Sequence, residues 1–319
     1  MEIKFLYDNI ERFNGNVGRL IGKGVNNYIW SWATEIYCFL KFGCSPDDFF
    51  RYEFYKKSDY ERRKFITYRK SQYIIRRFNS SDYRSVLDDK ARFNEYFSDF
   101  VNRDWIDLRV VGRSDFEEFL CRHKSVIIKP IKGGQGIGIV KITQDSYQLS
   151  DFENYRKCIA EEVLQQAKEV EELNPSSVNT IRVQTFYGKP IAAAIRIGNG
   201  NSVVDNLHSD GICGHIDLNC GVVDAPCINN RYDKFINHPL TNAQLVGFKI
   251  PNWSGVIKVV EDAARRIPEV RYVGWDVAVL DNGKIALIEG NYDPGHDVIQ
   301  MIVQSGLWNS IVKLNSKQE

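Results

Sequence analysis

The sequence lacks a charge excess of either sign. Its 319 residues include 42 Lys and Arg against 41 Asp and Glu, a formal net charge of +1. A balance so close to zero gives no electrostatic reason to expect a nucleic-acid partner. Long apolar runs are also missing, since none reaches the roughly 18 residues that a membrane-spanning helix needs. At 43% apolar and 26% charged residues, the composition is that of a globular protein of about two domains.

Targeting segments and paired cysteines are missing as well. The N-terminal MEIKFLYDNIERFNGN resembles neither a signal peptide nor a transit peptide. The seven cysteines are odd in number and show no C-x-x-C spacing, which is typical of a reducing compartment. We therefore expect a cytoplasmic protein.

One group of cysteines is regularly spaced. Cys213, Cys220 and Cys227 recur every seven residues, with His208 and His215 nearby. The spacing does not match that of zinc sites, so we interpret these cysteines as scattered small residues.

The chain changes in texture near residue 100. Residues 1–100 predict a mainly helical region, with helix breakers in Gly43–Pro46. From about 103, short β-branched runs alternate with polar segments such as ENYRKCIAEEVLQQAKEVEEL, which predicts a helix. Strands joined by hairpins and packed against helices indicate an α+β fold, with a small lobe at 101–165 and a large lobe at 166–319.

Two segments of the N-terminal region each have two interpretations. YIWSWATEIYCFLKF (28–42) predicts a buried helix, with an interfacial helix as the alternative. Residues 51–84 carry eleven Lys or Arg against four acids, with aromatic residues between them. Such a stretch either binds a nucleic acid or anionic glycan, or forms a helix that buries its aromatic side chains, and we favour the second.

A hairpin in GWDVAVLDNGKIALIEGNYDPG (274–295) places polar residues on apolar strands. Asn282-Gly283 predicts a two-residue type I′ turn. Counting outward from that turn puts Asp276 directly opposite Glu289, and Asn291 shares the face of Glu289. Facing carboxylates repel each other unless a cation lies between them. With the amide oxygen, they predict a site for a hard divalent cation.

A glycine-rich loop lies between two predicted strands in SVIIKPIKGGQGIGIVKI (125–142). Without side chains, Gly133, Gly134 and Gly136 let backbone N–H groups approach phosphate oxygens. Lys129 is the only charge in the apolar strand before the loop. A strand follows the loop, so it is not a dinucleotide fingerprint. An ordinary glycine-rich hairpin is the alternative, but a metal site downstream favours phosphate transfer.

These motifs, in this order, resemble the ATP-grasp superfamily, closest to the branch of bacterial glutathione synthetase and ribosomal-protein glutamate ligases. The resemblance covers about Leu87 to Gly295. It implies two α+β lobes that enclose ATP with two Mg²⁺ ions, Mn²⁺ being possible. DDKARFNEYF and VIIKP resemble the segments that supply the nucleotide lysines, here Lys90 and Lys129.

The resemblance also implies roles for other residues. For the nucleotide these are Gly133, Gly134, Gln135 and Gly136 in the loop over the triphosphate, Glu161, Glu162 and Val163 at adenine, and Glu169 at the ribose. For catalysis they are Arg182 and Arg196, with Asp276, Glu289 and Asn291 as metal ligands. For the acceptor they are Asp205, Asn206 and His208. Relatives that bind peptide-like acceptors often carry an arginine where this chain has Val204 or Asp205.

The helical N-terminal region departs from the family's usual α/β domain. Together with the SVNTIR and VDN motifs, it resembles the sugar-transfer-associated ATP-grasp proteins linked to capsule and O-antigen assembly. The resemblance implies an ATP-dependent carboxylate–amine ligase acting on an amino acid and a sugar acid or nucleotide sugar. A small-molecule kinase and a nucleotide-binding module without turnover are the alternatives.

Overall fold

The computed structural model describes residues 2–134, 136–200 and 211–318, without the side chains of residues 2–8. The chain forms two compact units: Met1–Arg77 with His296–Glu319, and Phe78–Gly295. Among the helices described, none is long and apolar enough to cross a lipid bilayer.

Helices make up most of the first unit, and others lie in the second. In chain order the α-helices are α1 Glu2–Leu20, α2 Val25–Phe42, α3 Pro46–Arg51, α4 Asp59–Arg62, α5 Tyr68–Phe78, α6 Arg84–Asp88, α7 Lys90–Tyr96, α8 Ser98–Val101, α9 Arg113–His123, α10 Lys168–Glu171, α11 Trp253–Arg266, α12 Val298–Val303 and α13 Trp308–Asn315. Short 3-10 helices span Phe54–Lys56, Ser81–Tyr83 and Leu149–Tyr155.

The predicted helix breakers act where the sequence places them. Gly43 ends α2 in a left-handed conformation with φ 67°. Ser45 then caps α3: its hydroxyl accepts a hydrogen bond from the Asp48 N–H at 3.1 Å, and the Asp48 carboxylate accepts one from the Ser45 N–H at 3.0 Å. This reciprocal capping box fixes the start of the helix.

The C-terminal segment belongs to the helical unit and not to the large lobe in which the sequence placed it. Buried Gln300 accepts hydrogen bonds from the N–H groups of Ile66 (2.8 Å) and Leu307 (2.9 Å), and donates to the Ile66 carbonyl at 3.0 Å. The Trp308 N–H donates to the Lys64 carbonyl at 2.9 Å. The bonds to Ile66 and Lys64 join residues more than 200 positions apart, which local sequence patterns do not reveal.

Helix α2 is not the buried helix that its composition predicts. The side chains of Ser31, Glu35, Cys38 and Phe42 are buried, whereas most of its large apolar side chains are exposed.

The second unit contains two antiparallel sheets. Their strands are β1 Trp105–Asp107, β2 Ser125–Pro130, β3 Val140–Thr143, β4 Cys158–Glu162, β5 Thr180–Phe186, β6 Lys189–Ile197, β7 Ile212–Ile216, β8 Cys227–Ile228, β9 Lys234–Phe235, β10 Tyr272–Val279 and β11 Ile285–Asn291. The four-stranded sheet has the order β1-β4-β2-β3, and the seven-stranded sheet has the order β11-β10-β5-β6-β7-β8-β9. The predicted α+β class is confirmed.

Each of the two sheets packs against a different helix. Phe116, Phe119 and Leu120 of α9 share a buried cluster with Val126 and Ile128 of β2. Helix α11 contacts β5, β6, β10 and β11, and buries an apolar stripe made of Val256, Val260, Ala263 and Ala264.

The segment predicted as one polar helix, 153–173, contains strand β4. Its apolar Cys158–Ala160 run pairs with both β1 and β2, which makes β4 an inner strand. Position within the sheet therefore outweighs the helix propensity of the charged residues around that run.

Replacing Gly306 with Ala should test the return of the C-terminal segment. A Cβ at Gly306 would lie 2.1 Å from the Lys64 backbone, so the substitution should destabilise the protein by about 1–3 kcal/mol or more. In the matched variant Gly15→Ala no heavy atom lies within 4 Å of the new Cβ, and the helix should gain up to about 1 kcal/mol. Urea denaturation measures both, and equal midpoints for the two variants would contradict the packing.

Candidate active site

The β10–β11 hairpin has the pairing that the sequence predicts but a different turn. Asp276 lies opposite Glu289, and Gly274 opposite Asn291. Gly283 has φ 77°, but Asn282 does not adopt positive φ, and the Leu280 N–H donates to the Lys284 carbonyl at 2.9 Å. The loop therefore has three residues, and the type I′ prediction is wrong.

A β-bulge corrects the register. The pairing shifts after Asp276, since Val277 pairs with Leu287 and leaves Ile288 as an extra residue. With a three-residue loop and no bulge, Asp276 would pair with Ile288, and Glu289 would lie on the opposite face. The bulge returns Glu289 to the face of Asp276.

Two arginines offset the charge of Asp276. Arg182 lies directly opposite Asp276 on β5; its Nε and Nη2 both donate to the carboxylate, Nη2 at 2.7 Å. Arg196 Nη1 on β6 donates to Asp276 Oδ2 at 3.1 Å. Burial opposes ionisation, but these guanidinium groups outweigh it and hold the pKa of Asp276 well below its usual range. The sequence predicted a cation between the facing acids as the only compensation for their charges, whereas the structure shows that two arginines offset one of them.

The negative charge of Glu289 is offset less than that of Asp276. Burial, and then the neighbouring Asp276, raise its pKa. Its ion pair with Arg182 Nη2 is long, at 4.0 Å, and the Asn291 amide donates to it at 3.2 Å. A carboxylate held beside another carboxylate, with oxygen ligands around it, fits a hard divalent cation such as Mg²⁺.

Arg182 also holds the segment that follows β11. Its Nη1 donates to the Pro294 carbonyl at 2.9 Å, and Gln184 Nε2 donates to the Gly295 carbonyl at 2.5 Å. A Cβ at Gly274 would lie 2.8 Å from Pro294 Cβ and 3.2 Å from Arg182 Cδ. Glycine at 274 is therefore what lets this segment close over the end of the strand.

A second buried charge network lies at the four-stranded sheet. Glu161 accepts from Lys129 Nζ at 2.5 Å and from Arg103 Nη2 at 2.8 Å. Burial would raise the pKa of Glu161, but these two cations outweigh it and lower the pKa well below its usual range. Arg103 also donates to the carbonyls of Leu287 (2.7 Å) and Ile288 (3.3 Å). It thus links the two sheets at the bulge.

The sequence did not predict a role for Arg103. No motif distinguishes it from the neighbouring Arg109 and Arg113. Arg182 and Arg196, by contrast, both pair with Asp276.

Lys90 reaches the glycine loop from the start of α7. Asp89 caps that helix by accepting from the Ala91 and Arg92 N–H groups, each at 3.1 Å. Lys90 Nζ donates to the Gly133 carbonyl at 2.8 Å. Burial, followed by the charge of Lys129, lowers the Lys90 pKa, while nearby carboxylates oppose the shift.

The loop itself needs glycine. Gly133, Gly136 and Gly138 have φ of 114°, 75° and 76°, values that disfavour other residues. A Cβ at Gly133 or Gly134 would meet no heavy atom within 4 Å. The backbone here is open to an approaching ligand.

These residues line one cavity together with apolar side chains. Its apolar lining residues are Ile127, Ile137, Ile139, Leu164, Val178 and Ile288. Its charged lining residues are Lys90, Lys129, Lys132, Glu161, Glu162, Arg196, Asp276 and Glu289. A cavity lined by both apolar and charged side chains suits a nucleotide, which has a flat base and an anionic tail.

Several predicted site residues lie elsewhere. Leu164, and not Val163, lines the cavity, and Glu169 is exposed in a separate groove with Lys249 and Trp253. Asn291 lines a second groove that also includes Glu289, Lys90 and the glycine loop. Gln135, Asp205, Asn206 and His208 lie outside the described residues.

His215, His296 and the regularly spaced cysteines form no metal-binding group among the described residues. His215 Nδ1 lies 2.6 Å from Asp224, and His296 Nε2 lies 3.0 Å from Asp48. Cys213 and Cys227 are buried, while Cys220 is exposed. Within the described part of the chain, the group with metal-ligand spacing is Asp104, His123 and Glu162, without a cysteine.

Comparison with known families decides the classification. The model of the sugar-transfer associated ATP-grasp family matches residues 147–316. The chain belongs to this family. A model of YheC/D-like ATP-grasp proteins matches residues 107–184 of the same chain. The predicted ATP-grasp fold and the predicted subfamily are confirmed.

Solved structures with this fold are distant in sequence. The ATP-grasp ligase PsnB, in complex with a phosphomimetic variant of a minimal precursor, Mg and ADP, is 13% identical with a TM-score of 0.48, covering 76% of this chain and 61% of that one. The RiPP-associated ATP-grasp ligase of Chryseobacterium gregarium, with ADP and peptide, is 12% identical with a TM-score of 0.47, covering 76% and 63%. D-alanine–D-alanine ligase of Bacillus anthracis is 13% identical with a TM-score of 0.39, covering 72% and 69%. No curated protein matches the chain.

Replacing Glu161 with Gln should destabilise this ATP-grasp unit. The variant leaves Arg103 and Lys129 buried without their counter-charge, a loss of about 3–5 kcal/mol at pH 7. Because folding lowers the Glu161 pKa, its contribution is present above the ordinary pKa of about 4.3 and declines as pH falls below it. Urea denaturation at pH 7 and pH 4 should show a smaller difference at pH 4. The neighbouring variant Glu162→Gln should change little, and equal losses in both variants would contradict the buried network.

Proposed function

We propose that the protein is an ATP-dependent carboxylate–amine ligase that forms an amide through an acylphosphate. Its substrates are an amino acid and a sugar acid, free or as a nucleotide sugar, for a bacterial capsule or O-antigen. One observation carries the proposal: Lys90, Lys129, Arg196 and the Asp276–Glu289 pair line one cavity together with the glycine-rich loop. Membership of the sugar-transfer associated family supports the choice of substrates.

The cavity would bind ATP with its adenine against the apolar lining residues. The glycine loop would present backbone N–H groups to the phosphates. Lys90 and Lys129 would neutralise the non-bridging oxygens, since both lie beside that loop or on the strand before it. Phosphoryl transfer depends mainly on positioning and charge neutralisation, which these residues provide.

Asp276, Glu289 and Asn291 would hold the metal, two Mg²⁺ ions or Mn²⁺ in their place. A divalent ion held there would supply positive charge to neutralise the phosphates as charge develops during transfer. Glu289 has the larger need of it, because its pKa is raised while that of Asp276 is lowered by arginines.

The two arginines would have different roles. Arg196 lines the cavity, so it can stabilise the transferring phosphoryl group and the later tetrahedral intermediate. Arg182 is buried behind Asp276 and holds both that carboxylate and the Pro294 carbonyl. We therefore assign Arg182 a positioning role.

The reaction balances in two steps. A substrate carboxylate oxygen attacks the γ-phosphorus of ATP, the bond to the bridging oxygen breaks, and ADP leaves. The neutral amine then attacks the acyl carbon, the acyl–oxygen bond breaks, and phosphate leaves with the proton that the amine nitrogen loses as the amide forms. Closure of the glycine loop would exclude the water that otherwise hydrolyses the acylphosphate.

Trapping with hydroxylamine tests the reaction class. The protein is incubated with Mg-ATP, a panel of amino acids and sugar acids, and hydroxylamine. A hydroxamate with ADP supports the ligase, and Asp276→Asn and Glu289→Gln should abolish it while the turn variant Asp281→Asn does not. A stable phosphorylated acceptor would indicate a kinase instead. Tight ATP binding without ADP formation would indicate a binding module.

Replacing either Arg196 or Arg182 with Met should distinguish the roles of the two residues. Arg196→Met should lower kcat by about 10²–10³, as loss of one transition-state donor does, with a modest loss of stability. Arg182→Met should lower the free energy of unfolding more, by about 3–5 kcal/mol, because it removes the main partner of buried Asp276. Steady-state kinetics and urea denaturation measure both. A larger stability loss in Arg196→Met than in Arg182→Met would reverse the assignment.

A further inference from the structure

Helix α2 exposes most of its large apolar side chains, while two of its polar side chains are buried. Val25 is 73% exposed, Ile29 65% and Leu40 67%, and Trp30 and Ile36 are also exposed. Ser31 and Glu35 are buried on the helix. Folding of the unit gains nothing from this arrangement, because the hydrophobic effect favours the reverse.

The exposed residues form one stripe. At about 100° per residue, Val25, Ile29, Ile36 and Leu40 fall within about 60° of one another. The buried set, Ser31, Glu35, Cys38 and Phe42, falls within about 60° on the opposite side. A continuous apolar stripe four turns long on a surface marks an interaction site, unlike single exposed apolar residues.

Basic residues flank the stripe. Lys23 precedes the helix and is exposed. Near the other end, Lys41 Nζ lies 4.9 Å from the centre of the Tyr37 ring and 2.6 Å from Asp59. Arg69 lies 5.6 Å from the centre of the Phe39 ring and donates to the Phe39 carbonyl at 2.9 Å.

The whole helical unit is basic while the rest of the chain is acidic. Met1–Arg77 and His296–Glu319 carry 17 Lys and Arg against 11 Asp and Glu, a net charge of +6. Phe78–Gly295 carries 25 against 30, a net charge of −5. The near-neutral total therefore conceals a strong division, and exposed Tyr60, Tyr68 and Tyr73 lie within the basic unit.

We propose that α2 docks the protein on an anionic membrane surface. The apolar stripe lies at the boundary of headgroups and acyl chains, and the basic side chains contact lipid phosphates. Tyrosine and tryptophan are common at that boundary because they combine an apolar ring with a polar group. A second copy of the chain fits less well, since a symmetric contact through α2 would bring two units of charge +6 together.

Sedimentation with vesicles tests the proposal without depending on the ligase activity. The full chain is mixed with vesicles of phosphatidylcholine containing about a third phosphatidylglycerol, or of phosphatidylcholine alone. We expect binding to the anionic vesicles at least tenfold tighter than to the neutral ones, weakened by salt because surface charge is screened.

Paired substitutions identify the surface. Ile29→Asp with Leu40→Asp should weaken vesicle binding at least tenfold. The control, Ile236→Asp with Leu240→Asp, changes side chains that are 63% and 64% exposed in the other unit, and should bind as the unchanged protein does. Circular dichroism and unfolding temperature confirm that each variant is folded.

Three outcomes would overturn the proposal. The first is no binding of the unchanged protein to anionic vesicles. The second is equal binding of the α2 variant and the control. The third is a lipid-free dimer that the α2 variant converts to a monomer, which would show that a second copy covers the stripe.

Discussion

Repulsion between Asp276 and Glu289 is the constraint around which the site is arranged. The two residues face each other across β10 and β11, and Arg182 faces Asp276 from the other side on β5. At this position, the adjacent strands β11, β10 and β5 therefore carry a carboxylate, a second carboxylate and a guanidinium group. Since Asp276 already has a close cation, the carboxylate that gains most from a further one is Glu289. Fixing charges of one sign close together in this way costs stability, and a ligand that carries the missing charge recovers it.

The bulge at Ile288 connects this arrangement to the second sheet. It sets the register that brings Glu289 to Asp276, and the carbonyls of Leu287 and Ile288 accept hydrogen bonds from Arg103. Arg103 in turn pairs with Glu161, which holds Lys129. A single extra residue in β11 thus positions Glu289 beside Asp276 and, through Arg103, affects the lysine of the opposite sheet. β-Bulges often lie next to active sites because they redirect side chains in this way.

The sequence predicted the pairing of Asp276 with Glu289 correctly but not the turn beside it. Alternation along a strand identified Asp276, Glu289 and Asn291 because the side-chain period of a strand is fixed at two. The loop was one residue longer than predicted and the bulge added one residue, so the two differences cancelled. Arg103 and the return of Gln300 to the helical unit were not predictable, since both depend on contacts between distant segments. The same is true of α2, where composition indicated burial and tertiary packing reversed it.

A count of charges supports the proposal that the cavity binds a triphosphate with divalent ions. The charged residues that line it, with the two arginines behind them, are six cations and four anions: Lys90, Lys129, Lys132, Arg103, Arg182 and Arg196 against Glu161, Glu162, Asp276 and Glu289. The net charge is therefore +2, whereas ATP brings about four negative charges to be neutralised during transfer. Divalent cations would supply the missing positive charge. A protein that bound ATP without turnover would have no need to place Glu289 and Asp276 in this cavity, because replacing either acid by a neutral residue would attract the nucleotide more strongly.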